Sequence, residues 1–218
     1  MQARSQRTRQ AIFAAAAEAF AESGFKEATL EDILRGAAVS KGAFYFHFAS
    51  KQQVAQALLD KVTSGILVAP QDSKLQEWIN TGLVLAHCLQ NETSFHAAMR
   101  LSTGPRQERF PSPWNAWGKQ LTGPLLAAQV NGELLPHVTP AQPARLVMTM
   151  LAGAFARCGT KGDDMEKVMS DLYACLLPAI AAPGQQLDIL AGRAQGLRYP
   201  GDESRDFDTD HARAPLIA

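Results

Sequence analysis

Apolar residues recur at helical spacing along almost the whole chain, and no convincing strand alternation bounded by turns interrupts them, so the pattern predicts an all-α protein. A first helix is expected from Ser5 to Ser23, with Ile12, Ala15, Ala16, Ala19 and Phe20 on its apolar stripe and Gly24 ending it in a left-handed conformation. Thr29, with Asp32 three positions on, is close to a capping box and opens a short second helix buried through Ile33 and Leu34. A turn through Gly36, Ala37 and Ala38 then leads to a third helix capped by Ser40. Phe44 and Phe48 lie four apart on one buried face of that helix, while Lys41, Tyr45 and His47 project from the rest.

Two short helices joined by a tight turn form a helix-turn-helix unit. Ser50 with Gln53 repeats the cap logic and starts a fourth helix, expected from Lys51 to Val68, whose stripe is Val54, Ala57, Leu58 and Val62. Beyond the break at Ala69-Pro70-Gln71-Asp72, the pattern gives a bundle with helices at Ser73–Leu89, Thr93–Ser102, Pro113–Gln129, Pro140–Cys158 and Asp164–Ala181. A loop spans Thr103 to Ser112, and one further short helix is expected over Gln186–Gln195. The domains expected are residues 1–50, residues 51–198, and a polar, acidic, disordered tail over 199–218.

The chain has 218 residues, 46% of them hydrophobic and 19% charged, enough to bury a full core. Its formal net charge of zero argues against non-specific coating of nucleic acid, yet Arg4, Arg7 and Arg9 stand near the start with no acid among them. Three cysteines, Cys88, Cys158 and Cys175, occupy apolar helical contexts without CxxC spacing and read as buried, reduced thiols. No signal peptide or membrane-length apolar run is apparent, so a soluble, cytoplasmic protein is expected. No catalytic set stands out, and His87 and His96 lack zinc spacing, so neither an enzyme site, a metal nor a cofactor is expected; a small helical enzyme is the remote alternative.

Thr29, Ile33, Ala37, Val39, Ser40, Gly42, Tyr45, His47, Phe48 and Lys51 stand in the register of the DNA-binding domain of TetR-family transcriptional regulators, and the first sixty residues resemble that domain. Where that pattern has glycine before the valine, this chain has Ala38; a left-handed alanine there costs about 1 kcal/mol. The second half resembles a narrower group, the γ-butyrolactone autoregulator receptors of Streptomyces. The resemblance is carried by Gly42-Ala43-Phe44-Tyr45-Phe46-His47-Phe48, by Ala97-Ala98-Met99-Arg100-Leu101 and by Pro113-Trp114-Asn115-Ala116-Trp117.

The resemblance implies a homodimer on a near-palindromic, double-stranded operator, released by a small molecule of γ-butyrolactone type. A pseudo-receptor answering to an antibiotic or another ligand is the alternative. DNA contacts are expected from Thr29, Ser40, Lys41, Gly42, Ala43, Tyr45, His47 and Lys51, the last on a phosphate. For the effector, a small and mostly neutral amphiphile, the candidate lining is Trp117, Met99, Leu85, Met148 and Phe155, with the Trp117 N–H as one donor. Gly118 and Gly123-Pro124 are expected to interrupt the helix after Trp117, a departure from that group. Dimerisation is expected through the last two long helices, along Val168, Leu172, Cys175, Leu176 and Ile180.

Overall fold

The computed structural model describes residues 2–64, 66, 68–102, 110–158 and 164–189. Within them run nine α-helices: α1 (Gln2–Glu27), α2 (Leu30–Gly36), α3 (Lys41–His47), α4 (Lys51–Thr63), α5 (Lys74–Asn91), α6 (Thr93–Ser102), α7 (Pro113–Val130), α8 (Ala141–Cys158) and α9 (Met165–Ile180). One isolated antiparallel bridge, Leu134 with Ala181, ties the α7–α8 connection to the end of α9. The all-α architecture expected from periodicity is therefore the observed one.

Local chemistry explains the N-terminal unit. Gly24 breaks α1 with φ 74° and ψ 179°, a positive φ with an extended ψ, open to glycine but outside the left-handed helical region expected for it. Ile12, Ala16 and Phe20 of α1, Ile33 of α2 and Phe44 of α3 then close a core without solvent exposure. Ala38 does take positive φ, 52°, at the turn into α3. Ala38→Gly is accordingly expected to raise stability by roughly 0.5–1 kcal/mol, a melting shift of about 2 °C; an unchanged melting temperature would show that the turn is unstrained.

Beyond small shifts at helix ends, the structure departs from the periodic reading at three places. Helix α4 ends at Thr63, five residues before the expected Val68, because side chains of α7 cap its last carbonyls. Helix α7 passes through Gly118, Gly123 and Pro124 without interruption. The expected helix at 186–195 is not formed over its described part, 186–189, and its remainder lies outside the described residues, as do the tail and most of the 103–112 loop.

Helices α5 and α6 bury residues on nearly every side, α5 including Leu75, Trp78, Leu83, Leu85 and Leu89, so they form the centre of the bundle. Helix α1 packs chiefly against α6, which seats the N-terminal unit on that centre. Cys88 is buried as expected, whereas Cys175 is exposed on α9. Cys175 lies on the face of α9 turned away from Met165, Met169 and Tyr173, which the bundle buries.

Candidate functional site

Helix α3 presents one buried face and one open face. Ser40 accepts from the Ala43 N–H at 3.2 Å and thereby fixes the start of the helix. Phe44 and Phe48 anchor it from below. Lys41, Gly42 and Tyr45 are exposed, Ala43 and His47 half-buried, so the sequence-predicted contacts of α3 do share a single surface. Arg9 lies with its guanidinium carbon 5.3 Å from the Phe48 ring centroid, which holds one N-terminal cation beside α3.

Phe46 was missing from the expected set and is 79% exposed, its ring edge-on to His47 at 5.0 Å. Its position contained a readable clue. Phenylalanines at 44, 46 and 48 cannot all share one helical face, so the middle one must point outward. A phenyl ring held on the open face of α3 suits van der Waals contact with a thymine methyl group.

Thr29 caps α2 in a complete reciprocal box. Its N–H and hydroxyl donate to Asp32 Oδ2 at 3.0 and 2.6 Å, and its hydroxyl accepts from the Asp32 N–H at 3.1 Å. Those bonds from Thr29 hold the Asp32 carboxyl below the usual aspartate range, with help from Arg35.

Lys51, expected on a phosphate, is engaged within the protein. Its Nζ is turned toward the Gly24 turn, donating to the carbonyl oxygens of Phe25 at 2.7 Å and Ala28 at 2.6 Å, and lying 4.5 Å from the Phe25 ring centroid. Partial burial lowers its pKa, against an opposing pull from Glu27. In this arrangement Lys51 ties α4 to the end of α1 and the start of α2.

The five residues expected to line an effector chamber are spread over α5, α6, α7 and α8. Leu85 and Trp117 are fully buried and Met99 nearly so, while Met148 and Phe155 are half-buried on α8. Trp117 stacks on Phe95 at 5.5 Å, and its indole N–H, expected for the ligand, donates to the Val62 carbonyl at 2.9 Å. Met148 alone of the five lines the open groove of about 810 Å³ between α7 and α8, with Trp114, Lys119, Leu126 and Arg145.

What α7 does instead is grip α4. Besides the Trp117 bond, Gln120 donates to the Thr63 carbonyl at 2.9 Å and accepts from the Ile66 N–H at 3.3 Å. The last carbonyls of a helix have no partner within it. Here two of them, at the far end of the helix that begins with Lys51, are held by side chains of the bundle.

Residues 12–58 match the sequence model of the bacterial regulatory proteins of the tetR family. Over 185 residues the chain is 33% identical to the A-factor receptor protein of Streptomyces griseus, covering 84% of this chain and 67% of the relative. The chain belongs to the TetR family. Among solved structures, full-length tylp, a TetR regulator from Streptomyces fradiae, superposes with a TM-score of 0.73 at 31% identity, covering 88% of this chain and 96% of that one. A gamma-butyrolactone receptor described as ArpA-like shares the fold, with a TM-score of 0.63 at 22% identity over 83% of this chain and 92% of its own.

As a TetR-family member the protein is a DNA-binding, ligand-responsive transcriptional regulator and not an enzyme. Among the described residues no helix is long and apolar enough to cross a membrane. The TetR reading also accounts for the short α2 and α3, which tertiary packing rather than length must stabilise.

Proposed function

We propose that the protein is a cytoplasmic, homodimeric repressor that leaves a near-palindromic operator when a small molecule of γ-butyrolactone type binds its helical bundle. The grip of Trp117 and Gln120 on the end of α4 carries this reading, because any ligand that displaces α7 must also pull on the helix under α3. Two α3 helices about one DNA turn apart, ~34–36 Å, match adjacent major grooves, and a modest swing of α4 in each protomer spoils that match. Leu146 and Met150 are exposed apolar residues on α8, 51% and 39% accessible, and supply a self-complementary surface for the dimer together with the outer face of α9. The ligand must prefer the DNA-incompetent state, since equal affinity for both shifts nothing.

Thr29, Ser40, Lys41, Gly42, Ala43, Tyr45 and His47 are the proposed DNA contacts, joined by Phe46. Tyr45→Ala should weaken binding to an operator recovered by in vitro selection by about tenfold or more, with no change in melting temperature. Gel shifts at fixed salt check this, and unchanged affinity would remove α3 from the interface. Gln120→Ala should leave operator affinity within about twofold while raising the lactone concentration needed for release by roughly tenfold, since it removes part of the link and no DNA contact.

A pseudo-receptor answering to an antibiotic is favoured by one observation, the engagement of the Trp117 N–H by Val62. Titration with lactones and with antibiotics, followed by release from the operator, separates the two readings.

A further inference from the structure

Two ring systems in the middle of the bundle carry donors that no described residue satisfies. Trp78 of α5 and Tyr173 of α9 are fully buried, meet edge to face at 5.0 Å, and among the described residues neither the indole Nε1 nor the phenol oxygen has a hydrogen-bond partner. A buried donor left unpaired costs about 1–3 kcal/mol, so a phenylalanine at 173 would fill the same space more cheaply.

The chain also gives up helix propensity to place that hydroxyl. Gly82, one turn after Trp78, stands inside the continuous α5, where glycine costs about 1 kcal/mol relative to alanine. A Cβ there would collide with the Tyr173 oxygen. Asn80 Nδ2 is unpaired as well, but Asn80 lies about 200° around α5 from Trp78 and faces elsewhere. Tyr173 additionally walls an open groove of about 390 Å³ between the last turns of α9 and residues 181–189, lined by Leu177, Pro178, Leu187 and Ile189.

We infer that Trp78 Nε1 and Tyr173 Oη are the polar anchors of the effector, donating to the carbonyl and ring oxygens of a lactone whose alkyl chain occupies the adjoining apolar space. This rests on the ligand-responsive reading proposed above and moves its chemistry from Trp117, whose N–H is already engaged, to the α5–α9 contact. Burial pushes the Tyr173 phenol up, so it remains a donor across the whole working pH range. The acceptor-only face of a neutral ester complements two neutral donors, whereas a ligand with donors alone would leave both rings unsatisfied. Binding at this contact separates α9 from α5, and α5 packs directly on α7, which holds α4.

Calorimetric titration of wild type and Tyr173→Phe tests this, using a γ-butyrolactone with a medium-length alkyl chain and the tetrahydrofuran of the same skeleton, which lacks the carbonyl. The expected result is lactone affinity about tenfold above that of the ether in wild type, and a several-fold smaller difference in Tyr173→Phe, which keeps only the Trp78 donor. Without ligand, Tyr173→Phe should melt at the wild-type temperature or above, because the hydroxyl has no bond to lose. Lactone affinity unchanged by Tyr173→Phe, or a ligand-free variant that melts several degrees lower, overturns the assignment while leaving the lactone reading intact. Failure of wild type to bind either compound overturns both.

Discussion

Replacing Glu133 by glutamine is expected to lower the melting temperature by about 5–10 °C. The residue sits in the α7–α8 connection, 7% exposed, and its carboxylate collects four donors. Ser73 Oγ and the Leu75 N–H donate to Oε2 at 2.7 and 2.8 Å, and the Lys74 N–H and Asn131 Nδ2 donate to Oε1 at 3.0 and 3.1 Å. Two of these are the free backbone amides at the start of α5, where the helix dipole also favours negative charge. Glutamine keeps one acceptor and turns an NH₂ group onto amide donors, so roughly 2–3 kcal/mol is lost.

The same carboxylate makes a statement about acid. Burial pushes its pKa up, but the bonds from Leu75, Ser73, Lys74 and Asn131 outweigh burial and hold it below the ordinary glutamate value of 4.5. The unfolded chain therefore binds this proton first as pH falls, and stability drops from about pH 4.5 downward until the folded pKa is passed. Thermal melts from neutral pH to below pH 4 should show a shallower acid limb in Glu133→Gln than in wild type. Parallel limbs would mean that Glu133 is not the group responsible.

How much of this was legible depended on distance along the chain. The caps at Thr29, Ser40 and Ser50 act on residues three positions away, so the local sequence alone reveals them. The strain at Ala38 was equally local, because a turn of that shape asks for positive φ wherever it occurs. Glu133 was not legible: it caps a helix that begins about sixty residues earlier, and nothing near it marks that partner. The end of α4 was misread for the same reason, since apolar residues continue to Val68 but the helix stops where Trp117 and Gln120 reach it. Trp117, Leu85 and Met99, expected to line an effector site, are buried, and the sequence says nothing about whether their surroundings are empty or filled.

Lys51 shows how the same residue supports two mechanisms that a single affinity measurement does not separate. Lys51→Met keeps the aliphatic stem and removes the ammonium, leaving the Phe25 and Ala28 carbonyls without their shared donor. Bonds from a charged donor are worth about 1.5–3 kcal/mol, so the melting temperature should fall by roughly 5 °C. Operator affinity should fall about tenfold, because α1, α2 and α4 lose the tie that sets the tilt of α3. If the ammonium acts only from within, the slope of log affinity against log salt stays at its wild-type value, for no phosphate contact has been removed. If the ammonium instead neutralises a phosphate, the slope declines by about 1 and the melting temperature holds. With two carbonyls at 2.6 and 2.7 Å and an aromatic face at 4.5 Å already around Nζ, the first outcome is the expected one. Lys51 then serves DNA recognition as the joint from which α4 carries the recognition helix.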